Sequence, residues 1–110
     1  MQQAINDFVN SSDQYKVICL STAHIRQSDA ERLREMGEDI EVSMILSRET
    51  GGFVKLYPDL EDEPRILEAD YPGFSDEFYN VLNQAKLAGF TMVEFDNAAT
   101  EYEFLPAFDW

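Results

Sequence analysis

The chain contains one cysteine and one histidine, and they lie five residues apart, at Cys19 and His24. A thiolate beside an imidazole is the arrangement of a nucleophilic site. Cys19, however, sits inside the apolar run YKVICLS (Tyr15–Ser21). In such a run a thiol usually acts as a small inert hydrophobe, so no catalytic pair is expected. His24 follows in a loop, where functional side chains concentrate, but a structural ring bonded to nearby backbone or to a carboxylate is the expected role. Glu94 and Asp96 alternate with Val93 and Phe95 and could present two carboxylates side by side for acid–base hydrolysis. The sequence offers them neither a nucleophile nor a pocket signal. There is no glycine-rich phosphate loop and no CxxC motif, and Gly51-Gly52 reads as a turn. No catalytic residue, metal ligand or cofactor is assigned, and the chain is read as not an enzyme.

The other chemistry is charge. Residues 58–77, PDLEDEPRILEADYPGFSDE, hold eight carboxylates: Asp59, Glu61, Asp62, Glu63, Glu68, Asp70, Asp76 and Glu77. Arg65 is their one base, so the stretch carries half of the chain's formal net charge of −14. Clustered carboxylates invite a calcium reading. The EF-hand pattern fails, because Pro64 stands where its glycine would be and Asp70 where its final glutamate would be. A net of −14 exceeds the roughly 2–8 charges that keep a small domain in solution. Such a chain repels nucleic acid and anionic lipid and attracts basic protein surfaces. Asp76 and Glu77 also fall at a helix start, where the macrodipole favours them.

The 110 residues suit one domain, 1–110, with a single core. A lone cysteine fits a reducing compartment. The N-terminus lacks signal-peptide features and no apolar run is long enough to span a membrane, so a cytoplasmic protein is expected. Gln2–Ser11 carry a weak helical pattern through Ala4, Ile5, Phe8 and Val9. Tyr15–Ser21 reads as a buried strand. Ser28 with Glu31 reads as a capping box for a helix over Asp29–Met36, stopped by Gly37. Glu41–Arg48 and Phe53–Tyr57, joined through Thr50-Gly51-Gly52, read as a hairpin. The acidic stretch reads as an ordered loop, held down by Ile66, Leu67 and Tyr71. Ser75 caps a helix over Asp76–Ala88 with Phe78, Val81, Leu82 and Ala85 inward, and Phe74 is placed to staple onto Tyr79. Phe90–Phe95 is the last main strand, Tyr102–Phe104 a candidate edge strand, and Trp110 a candidate core plug. The result is an α+β fold: one sheet of four to five strands in β-α-β-β-α-β order. The first and last main strands pair, the hairpin lies at an edge, and the helices cover one face.

Two stretches together carry a resemblance: Ser21-Thr22-Ala23-His24-Ile25, and Met92-Val93-Glu94-Phe95-Asp96 followed by Leu105-Pro106-Ala107-Phe108-Asp109-Trp110. The chain resembles a family of small domains of unknown function encoded on plasmids, phages and other mobile elements. That resemblance implies a mobile-element origin and no particular functional residue. Mobile elements carry small acidic proteins that block host defences, so the expectation is a non-enzymatic DNA mimic of the anti-CRISPR or anti-restriction kind. Its partner would be a basic nucleic-acid-binding protein or complex of the host, met through Asp59–Glu77, with no direct contact to nucleic acid or membrane. The alternative is an accessory protein, such as an immunity or antitoxin-like partner of a basic toxin. An enzyme using Glu94, Asp96 and His24 is the third class.

Overall fold

Alternation along four short strands decides which side of the sheet is dry. Leu20, Ile45, Val54, Val93 and Phe95 are buried, while the residues between them face outward. The computed structural model describes residues 2–39, 45–56 and 67–110. Its elements in order are α1 (Gln2–Val9), β1 (Val17–Leu20), a 3-10 turn at Thr22–His24 and α2 (Gln27–Glu38). The hairpin β2 (Ile45–Arg48) and β3 (Gly51–Lys55) follows, then α3 (Leu67–Asp70), α4 (Asp76–Leu87) and β4 (Met92–Asp96). The fold is α+β, with one mixed sheet of order β1-β4-β3-β2. β1 runs parallel to β4, while β3 is antiparallel to both β4 and β2. First and last strands pair and the hairpin lies at an edge, as the sequence implies.

Both long helices cover one face. Phe78 of α4 stacks on Phe95 of β4 with ring centroids 5.7 Å apart, and on Phe74 at 3.9 Å. Leu33 of α2 lies against Gly52, which pairs with Phe95. Ser75 caps α4 as expected, its hydroxyl accepting from the Phe78 N–H at 3.2 Å. Tyr71, 1% exposed, does pin the acidic stretch: its hydroxyl donates to the Lys55 carbonyl, and its own carbonyl accepts from the Tyr79 hydroxyl at 2.6 Å.

Six local expectations are corrected. Tyr15–Ser21 is not a buried strand throughout: in β1 only Leu20 is buried, while Tyr15, Val17 and Cys19 are exposed. α2 starts at Gln27, not Asp29, and the carboxylate serving its first turn is Asp29, which accepts from the Arg26 N–H at 3.0 Å; Ser28 is exposed. Gly37 does not stop α2 but lies inside it, because a Cβ there would stand 2.5 Å from the Ser47 nitrogen. The hairpin turn is Glu49-Thr50, and both glycines belong to β3. A Cβ on Gly51 would meet the Phe95 carbonyl oxygen at 1.8 Å, so the strands approach too closely there for any side chain. Tyr102–Phe104 forms a turn, not a fifth strand, and Leu67–Asp70 is one helical turn where a loop was expected. Residues 41–44, Tyr57 and Ile66 lie outside the described residues.

The close approach at Gly37 predicts that Gly37→Ala destabilises the fold by about 1–3 kcal/mol, through overpacking of α2 on β2. Alanine normally favours a helix interior, so a neutral or stabilising result in urea unfolding would refute this packing.

Candidate partner interface

Asp29 organises the acidic side of the molecule. It is 1% exposed. Its carboxylate accepts from the Arg26 N–H (3.0 Å), the Ser75 N–H (2.7 Å) and the Ser75 hydroxyl (2.6 Å). The N-termini of α2 and α4 therefore meet on one carboxylate, and both carry the partial positive charge that favours an anion. Two arginines staple the same junction. Arg26 bonds Glu77 at 2.8 Å, and Arg32 donates to the Pro72 carbonyl at 3.1 Å while reaching Glu35 at 3.5 Å.

The expected partner-binding residues divide around this junction. Asp59, Glu61, Asp62 and Glu63 lie outside the described residues. Glu68 is exposed on α3 and Asp76 on the first turn of α4, and neither has an ion-pair partner among the described residues. Asp70 is half-buried at the end of α3. Glu77 is committed to Arg26. That hydrogen bond, helped by one from its own backbone and one from Ser75, lowers its carboxyl from 4.5 to about 2. α2 adds acids outside the expected partner-binding set. Glu31, Glu35 and Glu38 are exposed, and Glu35 reaches the junction through Arg32. The spacing of Glu31 and Glu35 was visible in the sequence, but Glu38 lay beyond the expected helix end. The contact between α2 and residues 72–77 was not visible there.

A second cluster joins the two stretches that carry the family resemblance. His24 is fully buried. The Tyr102 N–H donates to its Nε2 at 2.9 Å, so Nδ1 carries the proton and donates to the Pro106 carbonyl at 2.8 Å. The Phe108 N–H donates to the Ala23 carbonyl at 2.7 Å, and Arg26 lies 4.8 Å over the Phe108 ring. The histidine has the structural role expected of it. Trp110 is not a core plug: it is 52% exposed and held at its edge by an indole N–H bond to the Ile25 carbonyl at 2.9 Å. Leu105 is the buried residue of the tail. Beside Trp110, a depression of about 270 Å³ runs between α2 and the hairpin turn; Arg34 and Arg48 face Glu31 and Glu49 around it.

The other reactive side chains are engaged or quiet. Both nitrogens of His24 are occupied, which leaves none for Cys19. Cys19 is exposed on the sheet side away from the helices, and desolvation, with Glu94 and Asp96 nearby, pushes its thiol above the ordinary value. It is therefore a poor nucleophile. Glu94 bonds Arg48 at 2.7 Å, and Asp96 accepts from the Ala98 N–H at 2.9 Å. No cluster of metal-ligating side chains occurs among the described residues, and none of their helices is long and apolar enough to cross a membrane.

Fold and site together define a small α+β domain with an acidic helical side and a tail strapped to a buried histidine. The chain belongs to a family of unknown function (DUF5983), whose C-terminal domain matches residues 17–110. The match takes in both the Ser21–Ile25 stretch and the C-terminal tail. Neither a curated protein nor a solved structure matches the chain.

Three outcomes test these contacts. Asp29→Ala strands buried donors on Arg26 and Ser75, and should cost about 3–5 kcal/mol in urea unfolding, with Asp29→Asn milder. His24→Leu leaves the Tyr102 N–H and the Pro106 carbonyl unpaired. It should cost about 2–4 kcal/mol and shift Trp110 emission to the red as the tail loosens. The stabilisation from Glu77 is fully present above its unfolded value and is lost as pH falls from 4.5 towards about 2. Glu77→Gln should therefore flatten the acid limb of a stability–pH curve over that window and leave its shape above it unchanged.

Proposed function

We propose that the chain is a non-enzymatic binding protein that sets its acidic helical side against a basic, nucleic-acid-handling protein of the host. It would act there as an inhibitor, a DNA mimic of the anti-CRISPR or anti-restriction kind. The observation that carries this reading is the allocation of charge at the Asp29 junction. Arg26 and Arg32 are used to staple α2 to residues 72–77, while Glu68 and Asp76 stand exposed with no ion-pair partner among the described residues.

Three physical points support it. Duplex DNA offers one negative charge per about 1.7 Å of axis, and its binders answer with rows of Lys and Arg. Carboxylates fixed on helices can occupy such rows without the ordering cost of a loose acidic segment. The same charge would steer association and make it fall with salt. Asp59, Glu61, Asp62 and Glu63 precede α3 in sequence and belong to the same proposed set. A mobile-element origin and a site of action in the host cytoplasm fit the reading.

The test is displacement of a labelled DNA duplex from purified restriction and CRISPR effector complexes. Wild type should displace it from at least one complex, with potency falling tenfold or more between about 50 and 500 mM NaCl. Glu68→Lys with Asp76→Lys should weaken displacement at least tenfold, and so should Lys at Asp59, Glu61, Asp62 and Glu63, with circular dichroism unchanged. Undiminished potency in folded variants of both kinds would remove the acidic side from the mechanism. Displacement from none of the complexes, with tight binding to one basic toxin instead, would favour the immunity-type alternative.

A further inference from the structure

The helices α2 and α4 cover one face of the sheet, and the opposite face is bare among the described residues. That face carries Val17 (43% exposed), Cys19, Leu46 (60%), Phe53 and Met92, with Tyr15 (57%) at its rim. Its charges are largely answered within it. Arg48 bonds Glu94 at 2.7 Å and lies 5.6 Å over the Phe53 ring, and Lys55 lies 4.8 Å over the Tyr15 ring. With Asp96 on it as well, the result is a partly apolar surface whose charges balance, on a protein that is otherwise strongly anionic.

The chain also contains a second uncovered apolar surface. In α1, Ile5, Phe8 and Val9 fall at i, i+3 and i+4, the spacing of one helix side. They are 49%, 79% and 69% exposed, and no residue of α1 is buried. An eight-residue helix is marginal in water without packing. α1 is nonetheless finished at its C-terminus: the Gln14 side chain donates to the carbonyls of Phe8, Val9 and Ser11 at 2.8–2.9 Å. That cap ties residues 11–14 to the end of α1, whose apolar side is left uncovered.

We propose that the bare sheet face is a homodimer interface, with α1 of each copy laid across the sheet of the other. The exchange is isologous, so one helix and one sheet face per chain satisfy both surfaces. Charge does not oppose it: α1 brings Asp7 and no base, and on the face it meets Arg48 and Lys55 are balanced by Glu94 and Asp96. Covering about six large side chains per copy removes on the order of 1,000 Å² in total, near the lower limit of a specific interface. A dimer in the micromolar range follows, and it must form against the repulsion of two chains of net −14. Added salt screens that repulsion. The dimer should therefore tighten as salt rises, opposite to the salt response of docking onto a basic partner, so it can fail or stand independently of the proposed function.

Sedimentation of the full chain up to about 200 µM, at about 50 and 500 mM NaCl, is the test, with Cys19 reactivity towards a thiol reagent as the second readout. Wild type should dimerise, more strongly at high salt, and the Cys19 rate should drop at least fivefold with rising concentration. Phe8→Asp and Leu46→Asp, both at exposed positions outside the core, should each give a folded monomer whose Cys19 rate does not change with concentration. Three results would each overturn the proposal. One is a monomeric wild type throughout this range. Another is a dimer that survives both substitutions. The last is Cys19 protection that does not depend on concentration, which would mean that α1 closes on its own sheet.

Discussion

A buried carboxylate holds together a protein that already carries too much negative charge. Asp29 is 1% exposed in a chain of net −14, where neighbouring acids would normally make one more buried anion costly. It is tolerated because three donors converge on it and because it sits at two helix N-termini together. The relative placement of α2 and α4 follows from this, and with it the placement of every acid on that side of the molecule. The acidic side is thus built around an anion that is fully satisfied and bordered by anions that are not.

The scarce bases explain the rest of the surface. With eight bases against twenty-two acids, each base has a large effect on where negative charge is left over. Arg26 and Arg32 go to the α2–α4 junction, and Arg48 goes to the sheet face beneath Glu94. The outer rim at Glu68 and Asp76 receives none among the described residues. One side of the molecule is consequently anionic, while the bare sheet face is close to neutral and partly apolar. These two surfaces obey opposite physics: salt weakens attraction to the first and relieves repulsion across the second.

The tail gives the family match a physical meaning. Residues 21–25 and 102–110 are far apart in sequence yet form one cluster through His24, Ala23 and Ile25. A neutral imidazole can accept one N–H and donate to one carbonyl simultaneously, so a single ring fastens two points of the tail. With the tail in place, Leu105 joins the core.

Local chemistry was enough to read the strands, α4 and the strand pairing. Alternation of Val93 and Phe95, the Ser75 cap and the Phe74–Tyr79 staple each involve residues within a few positions of one another. The structural role of His24 was also legible, because a lone histidine after a buried strand has few other uses. What the sequence could not reveal involves partners far along the chain. Ser28 looked like the cap of α2, but the carboxylate that serves that turn is Asp29, whose other donors lie 46 residues away on Ser75. Gly37 and Gly51 looked like a stop and a turn, yet they are glycine because Ser47 and Phe95 press against them. The acids of α2 joined the candidate interface only when Arg32 reached Pro72. By itself the sequence determined the charge and the order of the main strands and helices, since both are set largely by neighbours and composition. Only the tertiary structure decided which atoms came close enough to bury Asp29, and so where that charge faces.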